Sequence, residues 1–132
     1  MTVDRPSNPR RLYLLTTLLF GSGVLHFTVP KFYDAIVPRM LPGRARTYTY
    51  WSGAAELAVG AALAIPRTRR LGGLLAALLF IAVFPANVQF TADCLGNSKA
   101  SPLLKFISVV RLPMQVPLVT QSLKVSRESA RP

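Results

Sequence analysis

Apolar residues gather along this chain in four long blocks, and polar residues gather between them. The blocks cover about residues 12–29, 48–65, 71–91 and 103–123. Each reaches the ~17–25 residues that a helix needs to cross a bilayer core. The pattern predicts an all-α fold, a polytopic membrane protein built as a four-transmembrane-helix bundle in a single integral membrane domain over 1–132. Pro30 to Arg46, between the first two blocks, is too charged to span. Its apolar side chains Phe32, Tyr33, Ile36, Val37, Met40 and Leu41 still fall on one side at helical spacing. A short interfacial amphipathic helix between helices 1 and 2 is therefore expected. Pro38 should bend it, and Pro42-Gly43 should end it.

Small residues add packing detail. Ser52, Gly53, Ala54, Ala58, Gly60, Ala61 and Ala62 line the second block, and Gly72, Gly73, Ala76 and Ala77 line the third. Such small-xxx-small spacing lets helices approach closely, so Gly53, Gly60, Gly72 and Gly73 are expected at helix contacts. The tight basic turn Pro66-Arg-Thr-Arg-Arg70 makes the second and third helices antiparallel neighbours. Pro85 removes a backbone donor from the third block and frees the carbonyl of Ile81. The fourth block holds Lys105, Arg111, Pro113, Gln115 and Pro117. It is the least lipid-like, and is expected to pack mostly against protein.

Composition agrees with a membrane location. The chain is 51% hydrophobic and 16% charged, too apolar for an ordinary soluble domain. Its formal charge of +11 sits at the block ends, where Lys and Arg meet anionic lipid. Membrane lipid is thus an expected partner and nucleic acid is not. Both termini are expected inside, because nine cations fall on that side against five on the other. The basic start followed by an apolar run resembles a signal peptide; without a convincing cleavage site it is read as a retained first helix. Cys94 is the single cysteine, so no internal disulfide or CxxC site can form. One His and one Cys on different segments give no metal site. There is no nucleophile–base pair at readable spacing, phosphate loop or repeat, so neither a cofactor nor a catalytic set is expected.

The polar groups inside the blocks carry the functional question. Glu56 and Arg111 each lie about eight residues from the same expected boundary, roughly 12 Å deep at about 1.5 Å per residue. Arg111 is thus the best partner for Glu56. His26 and Asn87 lie nearer that boundary on the first and third blocks, and Gln115 lies one turn below Arg111. Two readings fit. One is a buried ion pair with hydrogen bonds that set helix order. The other is a small polar cavity for a quinone, a lipid headgroup or a proton path.

A resemblance adds to this. Gly23-Val-Leu-His-Phe27, Pro30, Phe32, Ile36-Val-Pro38 and Leu41-Pro42 resemble the opening of DoxX-like small membrane proteins. So do Ser52-Gly-Ala-Ala-Glu56, the Pro66 turn and Phe84-Pro-Ala-Asn87. The resemblance implies a four-helix bundle in the bacterial cytoplasmic (inner) membrane. It points to His26, Glu56 and Asn87 as site residues. Most members of that family have no assigned activity, and its name comes from a subunit of a thiosulfate:quinone oxidoreductase. The expected role is a non-catalytic accessory subunit of a larger envelope complex, respiratory or lipid-transporting, with other membrane-protein subunits as partners. The alternatives are a quinone- or lipid-binding redox subunit and, after it, a small lipid or solute carrier.

Overall fold

A computed structural model describes residues 9–129. They form six helices: α1 (Pro9–Thr28), α2 (Pro30–Ile36), α3 (Ala45–Ala64), α4 (Arg69–Ala82), α5 (Phe84–Gly96) and α6 (Pro102–Ser129). No strand occurs among the described residues.

The breaks follow from proline. The Val29 N–H still reaches the Leu25 carbonyl at 2.9 Å, but Pro30 has no N–H to continue the ladder. The chain restarts as α2, bent 99° from α1. Here the structure shortens the expected amphipathic helix. Pro38 disfavours helical backbone at Val37, whose ψ is 128°, so α2 stops at Ile36 and residues 37–44 form a loop. Ile36 is buried and Tyr33 half-buried against the bundle, while Met40 is 89% exposed and points away from it. The third apolar block is likewise broken in two at Val83, one residue before Phe84-Pro85 starts α5. The Ile81 carbonyl is not left orphaned, because the Val83 N–H shares itself between Ile81 and Leu79.

α1 packs on α3, α3 on α4, and α4 on α6; α5 packs on α6, and α2 lies over α3 and α5. Leu12, Leu15, Leu19, Val59, Leu63, Ala76, Phe80 and Val125 form the main core. Ile36, Phe90 and Cys94 form a smaller one under α2. Glycine sets the helix spacing. A Cβ on Gly53 would lie 2.6 Å from that of His26, on Gly72 2.7 Å from the Leu63 nitrogen, and on Gly73 2.8 Å from the Ser122 oxygen. Gly60 meets the Phe20 ring at 3.3 Å. The α3–α4 turn is tied by Thr68 Oγ1 to the Ala62 carbonyl (2.8 Å) and Arg69 Nε to the Leu63 carbonyl (2.9 Å).

Two helical stretches, Pro66–Gly96 and Pro102–Ser129, are long and apolar enough to cross a membrane; the bent α1–α2 pair makes a third if it is one span. α3 is less apolar, because Thr47, Tyr48, Thr49, Tyr50, Ser52 and Glu56 lie along it.

α6 corrects one expectation. Its most apolar stretch is less buried than that of Pro66–Gly96. The reason lies in its inward stripe. Ser108, Gln115 and Ser122 recur every seven residues, joined by Val125 and Ser126, while Leu103, Phe106, Ile107, Met114 and Val116 face outward.

Candidate functional site

The polar groups converge where α1 and α3 cross. Ser22 and His26 are one turn apart on α1, and Thr49, Ser52 and Glu56 repeat at three- and four-residue spacing on α3, so each set shares a face. The close approach at Gly23 and Gly53 brings the two faces together. His26 Nδ1 then lies 3.5 Å from Glu56 Oε2, with both side chains about nine-tenths buried at 7% and 10% exposure.

His26 is held from two sides. Its Nδ1 lies 2.7 Å from the Ser22 carbonyl oxygen. A carbonyl only accepts, so that contact assigns the proton to Nδ1 and, in the neutral ring, leaves Nε2 as an acceptor. The ring stacks on Tyr33 with centroids 3.7 Å apart. Glu56 is less satisfied. Its Oε2 is buried with no hydrogen-bond partner.

Arg111 departs from expectation. No salt bridge joins it to Glu56. Its Nη2 donates to Asn87 Oδ1 at 3.4 Å, and its guanidinium carbon lies 5.7 Å from the centre of the Phe90 ring. Arg111 stays exposed, because α6 packs chiefly on α4 and α5 and not on α3. Glu56 and Arg111 face the same space without touching. That space is a cavity of about 80 Å³ whose polar lining includes Ser22, His26, Ser52, Glu56, Asn87 and Arg111. Gln115 is not part of it. It is buried with an unpaired Oε1 and lines a separate apolar groove with Phe80, Ile81 and Leu112.

The cavity opens sideways. Val37, Tyr48, Ser52, Val83 and Ala86 line both it and a wider groove of about 840 Å³ between the 37–44 loop and α5. Two clamps hold the groove's rim. Gln89 Nε2 donates to the Val37 carbonyl at 2.8 Å, and Arg39 pairs with Asp93 at 2.7 Å. Asp34 ties α2 to α3, accepting from Thr49 Oγ1 (2.6 Å) and Arg46 Nε (2.8 Å). Burial alone would raise Asp34, but those hydrogen bonds and the Arg46 charge hold its carboxyl below the ordinary value. The sequence marks Tyr33 only as part of the apolar side of α2, and marks neither Thr49 nor Asp34 as a site residue. The repeat Thr49-Ser52-Glu56 carries the signal for Thr49; nothing local marks Asp34. Among the described residues, no three His, Cys, Asp or Glu side chains gather as metal ligands.

The fold and this pocket define a small all-helical protein with helices long and apolar enough to cross a membrane and a buried polar site beside a lateral groove. Residues 15–126 match the family described as Domain of unknown function (DUF8561), and the chain belongs to that family. No curated protein and no solved structure matches it.

Proposed function

We propose that this protein is a non-catalytic accessory subunit of a bacterial envelope complex, and that it holds the polar end of an amphiphile in the Glu56 cavity. The observation that carries the proposal is the buried Glu56 Oε2, without a hydrogen-bond partner, in a cavity that runs into an apolar groove. Buried polar atoms normally find partners, and a ligand in this cavity would supply one. The outward apolar face of α6 and its exposed Arg111 support a place beside other membrane subunits. The proposed setting is the cytoplasmic membrane, with α1, α3, the α4–α5 pair and α6 as four crossings, both termini inside, and DoxX-like architecture.

Ser52→Trp tests the pocket, since Ser52 stands where cavity and groove meet. The variant should keep its helical content by circular dichroism and lose about tenfold of the amphiphile that co-purifies with the wild type, because the indole fills the junction. Unchanged amphiphile in a folded variant would remove the pocket reading. Purification from native membrane in mild detergent should return stoichiometric protein partners; a chain that always purifies alone would remove the subunit reading.

One observation favours a redox alternative, a quinone-binding subunit. The His26–Glu56 contact of 3.5 Å sets two titratable side chains together on one wall of the cavity. That reading requires Glu56→Gln or His26→Ala to abolish a membrane oxidoreductase activity while folded protein remains, and normal activity in both would end it.

A further inference from the structure

We propose that the occupant is a phospholipid with a primary-amine zwitterionic head, an aminophosphate of the ethanolamine type; this rests on the amphiphile reading above. Its ammonium meets Glu56, its phosphate meets Arg111, and its chains lie in the groove.

The argument is one of charge and donors. Glu56 and Arg111 line a single cavity, and no ion pair joins them. A purely anionic head would satisfy Arg111 and place its charge against Glu56. A purely cationic head would do the reverse, and a neutral head would leave both charges unmatched. A head carrying both charges a few atoms apart matches the pair. The free Glu56 oxygen needs a hydrogen-bond donor, which a primary ammonium has and a quaternary ammonium lacks. Arg111 spends one N–H on Asn87 and keeps others for phosphate oxygens. Size agrees. About 80 Å³ exceeds the room one water needs, ~10–15 Å³, and suits a short head. The groove of about 840 Å³, walled by Val37, Ala82, Phe84 and Val88, falls within the ~300–1,000 Å³ of ordinary ligand pockets.

The test uses the full chain, delipidated in detergent, with native mass spectrometry of competing lipids that share the same acyl chains. The probes are phosphatidylethanolamine, its N-acetylated form, phosphatidylcholine and phosphatidylglycerol. Phosphatidylethanolamine should bind the wild type about tenfold more tightly than the other three. Glu56→Gln should erase the preference over the N-acetylated lipid, and Arg111→Gln should weaken all four. Should the wild type fail to distinguish the amine from its acetylated form while Ser52→Trp still blocks every lipid, the head assignment falls and the amphiphile site stands. Lipid binding that Ser52→Trp leaves unchanged removes the site and the head assignment together. Soluble phosphoethanolamine competing as well as the lipid would overturn the choice of a lipid. Comparing the two lipids on unaltered protein keeps the test valid even if a variant fails to fold.

Discussion

Asp34 joins two segments that neither could hold alone. It accepts from Thr49 and Arg46, fifteen and twelve residues further on, and so holds α2 against α3 above the cavity. Removing the charge with Asp34→Asn should lower thermal stability in detergent by about 1 kcal/mol, since Arg46 is partly exposed and solvent screens the pair. The sign of the pH dependence follows from the lowered carboxyl value. The folded state holds the proton less tightly than the unfolded chain, so this stability is present above the ordinary carboxylate value near ~4. It is lost as pH falls through the folded value. The wild type should therefore lose its advantage over Asp34→Asn below about pH 4, read as converging melting temperatures. A constant gap down to pH 3 would show that Asp34 does not titrate with folding. Glu56 was legible as a costly group in an apolar segment. Its neighbour was not, because depth along a helix says nothing about rotation around it. Arg111 shares the depth, yet His26 shares the crossing.

At the scale of helices, glycine decides which faces meet. Gly53 lets α3 approach α1 until a Cβ would stand 2.6 Å from that of His26, whereas nothing lies within 4 Å of a Cβ on Gly21. Gly53→Ala should cost about 1–3 kcal/mol from overpacking and push His26 off Glu56. Gly21→Ala should be neutral or stabilising by up to about 1 kcal/mol, as alanine favours the helix. Melting temperatures of the two variants, one on each helix of the crossing, check the contrast; equal effects would place the close contact elsewhere. The glycine spacing was readable in sequence, as was the stop at the Pro66 turn. The length of α2 was not. Apolar periodicity ran on to Leu41, but the backbone restriction at Val37 before Pro38 outweighed it, and the residues beyond became loop.

For the whole molecule, the proposed crossings make a topological prediction. Replacing buried Cys94 with Ala removes the native thiol. Single cysteines placed at Arg67 and at Asn97, both exposed, then report the two ends of the α4–α5 pair. A membrane-impermeant thiol reagent on intact cells should label Asn97→Cys, and label Arg67→Cys only after the membrane is opened. Equal labelling of both from outside would mean that α4 and α5 turn back without crossing. The outer face of α6 is apolar over the same length, with Phe106, Val116 and other large side chains exposed on it.

Sequence alone determined the properties that depend on composition and on spacing within one segment. These are the helical class, the apolar blocks, the glycines at helix contacts and the polar groups too costly to stand in lipid without a reason. They are local because hydrophobic period, proline and glycine act within a few residues. Only the tertiary structure decided which polar groups share a space. It set His26 beside Glu56, left Arg111 facing Glu56 without pairing, moved Gln115 to another groove and joined the cavity to a lateral opening. Those outcomes depend on how each helix is rotated and on where α2 and the 37–44 loop come to rest. Contacts between residues distant in the chain govern both, and no single segment encodes them.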